Sequence, residues 1–284
     1  MRWFYALALG WLPLAGRAQS APALPADQAT LEAYYRLTYQ PDSTDAKTRS
    51  ELTRLTLGSR LSRFDTSNAR FLDSTMTAAM AAVTLAQQRG EMPTINIDNP
   101  DRSRFSTFFR GVIYKVPTAR QVAVYDRIGA TRYVYQEPTP LAWTILPATA
   151  TVAGHACQRA TTSFGGRQWE AWFTREVPVS DGPYKFYGLP GLIVKVSDTR
   201  QHYVFELAQL RKLPAPVAIA LPEGGAKPIA KADFLRGKAE YDRANFSQAV
   251  ANGNLRFNSP EEAQAAKQKA QARTKRRNNP LELR

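Results

Sequence analysis

The sequence has one cysteine, two histidines and, beyond its first residues, no apolar run long enough to cross a bilayer. An internal disulfide is therefore excluded, and stability has to come from packing. Ser-His-Asp catalysis needs a base oriented by a carboxylate, and nothing in the chain sets Asp181 or Asp198 beside His155 or His202. A zinc centre is short of ligands, because His155 and Cys157 share a strand face with no third His or Cys motif to join them. The pair reads as packing, and Cys157 as a buried apolar strand residue rather than an intermolecular bridge. Phosphate loops, dinucleotide fingerprints, zinc-finger spacings and flavin signatures are all missing, so no cofactor and no metal are expected.

Acidic charge is also scarce. Against 38 Lys and Arg stand 24 Asp and Glu, a net charge of +14. Such a balance suits nucleic acid, an anionic membrane surface or an acidic partner. A conspicuous share lies in the tail from Lys267 to Arg277, and the rest is scattered singly. The N-terminus argues for export and so against nucleic acid. Arg2 is followed by the short apolar stretch Trp3 to Ala15, then by Gly16-Arg17-Ala18, which sets small residues where a signal peptidase reads. Residues 1–18 read as a signal peptide cut before Gln19, which gives a periplasmic or secreted protein. Residues 19–30 read as a polar Ala/Pro linker. The basic tail then reads as solvated, or as attracted to an anionic outer-membrane surface.

What is present is apolar and aromatic. The 284 residues are 44% hydrophobic and 11% aromatic, enough for one sizeable core. Tyr34 to Tyr39 alternates like a strand, and short strands flank Gly58 at Leu55 to Leu57 and Leu61 to Phe64. Asn68 to Gln88, rich in Ala, Met and Leu, reads as one long amphipathic helix, with Glu91 to Arg104 a loop. Strands follow at Phe108 to Val116, Gln121 to Asp126, Thr131 to Gln136, Leu141 to Leu146, His155 to Ser163, Arg167 to Thr174, Leu192 to Val196 and Tyr203 to Leu210. Gly165-Gly166 gives the strongest hairpin signal, since primed turns need positive φ. Leu213 to Lys227 reads as a connector, Lys231 to Phe246 as a helix, and the stretch from Ser259 as a polar helix with a frayed end. The expected fold is α+β and mainly antiparallel β: a curved sheet or half-barrel packed on one long helix, with C-terminal helices. The β-rich domain is expected over residues 31–212, and the connector, helix and basic tail over 213–284.

The segment Trp172 to Ile193, with Gly188-Leu189-Pro190-Gly191-Leu192-Ile193 complete within it, resembles the signature of the GLPGLI family of exported Bacteroidota proteins. Cys157 with Arg159-Ala160, Gly166-Arg167, Gly182-Pro183-Tyr184-Lys185-Phe186 and the ending Lys275 to Glu282 resemble that family too. Val194-Lys195 departs mildly from its more apolar continuation. The resemblance implies export and a β-rich fold, and implies no established reaction. A looser similarity is to bowl-like accessory domains on some secreted glycan-processing enzymes.

As residues, Gly188 and Gly191 supply freedom at a tight bend, Pro190 fixes φ between them, and Leu192-Ile193 dives into the core. Glu170 shares a strand face with Trp172, the aromatic–carboxylate pairing that sugars favour, while Trp169 faces the core. Tyr184, Phe186 and Tyr187 pack over the bend or line an opening beside it. Glu170, Trp172, Asp181, Tyr184, Phe186 and Tyr187 are therefore the candidate ligand-binding set, with no catalytic set identified. The expected function is that of an exported, non-enzymatic protein that binds an apolar or glycan ligand or docks an outer-membrane partner. The alternatives are a glycan hydrolase using Glu170 and Asp181 as an acid pair, and an assembly protein acting through the basic tail.

Overall fold

A computed structural model of the chain describes residues 21–67, 85, 88–89, 107–129, 131–137, 140–221, 225–251, 259–275 and 278–283. The expected signal segment, the loop at 91–104 and nearly all of the expected helix at 68–88 lie outside the described residues.

Twelve strands form one sheet. They are β1 (Gln28–Tyr39), β2 (Arg49–Leu57), β3 (Ser62–Thr66), β4 (Val112–Val116), β5 (Gln121–Ile128), β6 (Thr131–Gln136), β7 (Thr144–Val152), β8 (His155–Phe164), β9 (Arg167–Thr174), β10 (Leu192–Asp198), β11 (Tyr203–Ala218) and β12 (Lys227–Pro228). Their spatial order is β12-β6-β5-β4-β3-β2-β1-β11-β10-β9-β8-β7. Every pairing is antiparallel except the two-residue parallel contact of β12 with β6. Two helices follow, α1 (Lys231–Ala251) and α2 (Pro260–Lys275). Among the described residues, no helix is long and apolar enough to cross a membrane.

The α+β class with a dominant antiparallel sheet and C-terminal helices stands. The curved sheet or half-barrel does not. The sheet is open, because its terminal strands β7 and β12 pair with nothing beyond β8 and β6, and no ladder joins them. Its apolar face is covered by irregular chain and by the C-terminus, so burial does not require the sheet to close on itself.

Local chemistry accounts for the strands. Gly165 and Gly166 have φ of 58° and 75°, and join β8 to β9 through the Phe164–Arg167 pair. Gly129, φ 59°, turns β5 into β6. Two differences from the expected bounds concern β1 and β11. β1 begins within the stretch read as linker, and β11 runs on through Leu213 to Ala218, read as connector. Pro214 and Pro216 do not break β11, because they fall in a bulge between the Leu31–Lys212 and Ala29–Val217 pairs, where β11 has no partner on β1, and β10 pairs with β11 only up to Glu206. A missing N–H costs no ladder hydrogen bond there.

Alternation splits the sheet into two faces. The inner face carries Leu37, Leu55, Phe64, Ile113, Val124, Trp169, Phe173 and Phe205, all buried in one cluster. Each such side chain contributes roughly 1.5–3 kcal/mol on leaving water. Glu32, Arg54, Asp65 and Arg63 form a chain of ion pairs across β1, β2 and β3 on the outer face. The expected polar helix from Ser259 is present as α2, and Ser259 Oγ accepts the Glu262 N–H at its start. Beyond it, residues 278–283 dock on the sheet, with Asn279 and Leu281 buried.

Candidate functional site

Between β9 and β10 the chain leaves the sheet for residues 175–191 and folds over the inner face as a corner. Two features close it. Asp181 bridges back to Tyr187, and Tyr184 takes a left-handed φ of 53°. At Gly191, φ is 150°, and a Cβ there would lie 2.7 Å from the Thr174 carbonyl carbon and nearer still to its oxygen. Only glycine lets the corner rejoin β10 against β9, so Gly191 has the structural role that the motif suggested.

The corner is pinned from below by Lys115, a fully buried cation on β4. Its Nζ pairs with Asp181 Oδ1 at 2.5 Å and donates to the carbonyls of Gly182 (2.5 Å) and Phe186 (3.4 Å). Burial pulls the Lys115 pKa down and Asp181 pulls it back up, with the net direction downward. Such a pair is costly to break from one side, because the remaining charge stays buried. Sequence reasoning missed Lys115. Its signal was an inward register with Ile113 on β4, where a lysine needs a partner.

A second buried ionic group lies farther along the same face. Lys185 Nζ meets Glu137 Oε2 and Glu282 Oε1, each at 2.5 Å, with the rings of Tyr135, Phe164 and Tyr184 around it. Lys231 also pairs with both carboxylates. Glu282 is pulled up by burial and down by Lys185 and Lys231, and its pKa ends below the ordinary value.

The candidate ligand set is divided by this geometry. Tyr184, Phe186 and Tyr187 are buried in the inner-face cluster, with Phe186 packed 4.7 Å from the Trp169 ring centroid. Tyr184 and Phe186 are core, as expected for Trp169, because the corner turns their rings inward onto the sheet, while Tyr187 also borders an opening. Asp181 is 1% exposed and held by Lys115. Glu170 and Trp172 stand on the outer face, where the Trp172 indole N–H donates to Glu170 Oε1 (3.1 Å) and Arg159 pairs with Oε2. Glu170 and Asp181 thus lie on opposite faces of the sheet, and the acid pair expected of a hydrolase is not formed. Of the six expected ligand residues, two stand on the outer face and four on the inner.

One opening does adjoin the motif. A cleft of about 620 Å³ is lined by Arg120, Pro140, Leu141, Ser180, Tyr187 and Gly188, among others. Behind Tyr187, the Trp143 indole N–H donates to the Tyr187 carbonyl at 2.8 Å. The Tyr187 hydroxyl is buried without a hydrogen-bond partner. Burial raises its pKa while the nearby Arg120 charge lowers it, and the net shift is upward. Gly188, φ 97°, has only Trp143 near where a Cβ would stand, at 3.8 Å.

His155 Nδ1 lies 2.7 Å from Glu176 Oε2, and Cys157 is buried with its Sγ toward the His155 carbonyl. Among the described residues no group of three or more His, Cys, Asp or Glu is arranged to hold a metal.

A family model described as a protein of unknown function (Porph_ging) matches residues 158–195, the stretch from β8 through the corner. No curated protein sequence matches the chain. Two solved structures of PNGF-II, in P21 and C2 crystal forms, are similar to it with TM-scores of 0.51 and 0.50, both at 12% identity. The likeness covers 75% and 76% of this chain, but only 34% and 33% of PNGF-II. The chain therefore shares its fold with about a third of PNGF-II, an enzyme that processes glycans. That finding corrects the expectation of a non-enzymatic chain, because this fold occurs within a glycan-processing enzyme.

Proposed function

We propose that this protein works in glycan processing and holds its glycan substrate in the cleft beside the corner. The observation that carries the reading is the cleft itself. It offers a guanidinium at Arg120, a hydroxyl at Ser180, an unpartnered phenol at Tyr187 and apolar walls at Pro140 and Leu141. Sugars present apolar ring faces and many hydroxyls, and a pocket that mixes apolar walls with fixed polar groups suits them. The shared fold with part of PNGF-II supports the same class. In this reading the GLPGLI-like corner shapes the cleft wall through Tyr187 and Gly188. The protein is also exported, which the charged start and small residues at Gly16 and Ala18 support.

The test is glycan release from a mixed pool of glycoproteins, followed by mass spectrometry, together with binding to the same released glycans. Turnover or binding by the wild-type chain that drops at least tenfold in Arg120→Ala supports the cleft. A wild-type chain that neither binds nor changes any glycan overturns the reading. N-terminal sequencing of the protein from its own envelope tests export, which requires a mature start at Gln19.

A further inference from the structure

Residues 278–283 contact the sheet like a bound ligand. Asn279 takes a bond at almost every polar atom. Its side chain accepts from Arg167 Nη2 (2.5 Å) and donates to Gln40 O (2.7 Å), its N–H donates to Pro41 O, and its carbonyl accepts from the Tyr203 hydroxyl (2.6 Å). Arg167, buried at the start of β9, donates to Pro280 O and Leu281 O as well, and is itself held by Asp198. Leu281 is buried, and Glu282 receives Tyr184, Lys185 and Lys231. Leu283 N–H donates to Gly165 O.

Three cations, Arg167, Lys185 and Lys231, thus line a groove in which Glu137, Asp198 and a six-residue segment supply their acceptors. The groove is assembled from β9, the corner and the start of α1. The helix leading to the segment, α2, is largely exposed along its described length, so the segment is anchored by its own contacts. This is the arrangement of a ligand on a tether.

We propose that the groove is a recognition site for an extended Asn-Pro-Leu-Glu segment, and that it takes this segment from a second copy of the chain as well as from its own. Charge complementarity names the occupant. Glu137 and Asp198 offset two of the groove's three cations, and the segment supplies the third carboxylate, a side-chain amide and three carbonyls. Each copy carries the segment beyond a helix that spans about 24 Å, so a neighbour's groove is within reach of a released tail. The site is distinct from the cleft, and it stands or falls independently of glycan processing.

The probe is a fluorescent peptide of sequence Asn-Asn-Pro-Leu-Glu-Leu-Arg, added to full chains. In the wild type the tethered segment competes at an effective concentration on the order of millimolar, so micromolar peptide binds weakly. Glu282→Lys places a third positive charge between Lys185 and Lys231 and releases the chain's own segment. It is expected to raise peptide affinity at least tenfold, and a peptide with Gln at the Glu position is expected to lose that gain. A mixture of Glu282→Lys chains (groove intact) with Lys231→Glu chains (segment intact) is expected to show a heterodimer by native mass spectrometry. A folded Glu282→Lys chain that binds no peptide overturns the site. A mixture that stays monomeric overturns the second-copy occupant. Hydrogen exchange of the wild type decides the matter without a variant. The Asn279 and Leu283 amides should exchange through local opening, and exchange only through global unfolding would sink the proposal.

Discussion

Gly191→Ala should be the most damaging single-methyl change in the corner, and the size of the effect follows from its surroundings. With φ at 150°, an alanine is strained, and its Cβ would press on the Thr174 carbonyl, which is backbone and cannot swing away. Thr174 is paired with Leu192, so relief requires β10 to move from β9 where Leu192, Ile193 and Val194 are fully buried. Backbone strain of this kind costs about 1–3 kcal/mol, and displacing packed core adds to it, for a total of about 3–5 kcal/mol. At roughly 2–4 °C per kcal/mol for a chain of this size, the melting temperature should fall by about 6–20 °C. Gly188→Ala is the matched control. Its φ of 97° is also strained for alanine, but the nearest atoms stand 3.8 Å away, so about 1–2 kcal/mol is expected. Differential scanning calorimetry of the two variants beside the wild type is the assay. Equal losses at both positions, or a Gly191→Ala chain melting within 2 °C of wild type (about the smallest shift 1 kcal/mol gives), would refute the close-approach reasoning.

Lys115→Met should destabilise the chain by about 3–5 kcal/mol by stranding the Asp181 carboxylate, and Lys115→Met with Asp181→Asn should recover part of that loss in urea unfolding. Glu51 is buried, its Oε1 accepting from the Phe108 N–H and Thr107, and burial pushes its pKa up from 4.5 to about 7. A folded-state pKa raised above the unfolded one means stability present below about pH 4.5 and lost as pH rises to about 7, by about 3 kcal/mol for this group. Replacing it as Glu51→Gln should flatten that slope in denaturation measured from pH 4.5 to 7.5. Arg167→Ala should release residues 278–283 and lower the melting temperature, and a segment that stays protected from carboxypeptidase in this variant would contradict the role given to Arg167.

Much of the sheet is local and was legible. β9 falls where alternation placed it, and the hairpin at Gly165-Gly166 follows from two residues that take positive φ freely. The inward direction of Trp169 and Phe173 follows from period-two geometry, as does the outward direction of Glu170 and Trp172. Even the need for glycine at the motif is a statement about one residue's backbone. Tertiary structure decided which groups meet. Asp181 and Glu170 are 11 positions apart in the sequence, yet the corner carries the first to the inner face against Lys115 on β4, while the strand keeps the second outside. The rings of Tyr184, Phe186 and Tyr187 look equally suited to a core or a site, and only the fold-back of the corner commits Tyr184 and Phe186 to the core and sets Tyr187 at the cleft. The tail shows the same division. Its basic, polar composition pointed to solvent, but Asn279, Leu281 and Glu282 find partners on β9, β11 and the corner that are 76 to 114 residues away in sequence. Such pairings depend on which surfaces face each other after folding, and a linear pattern has no means of encoding them until Lys115, Arg167 and Lys185 are brought together on one face.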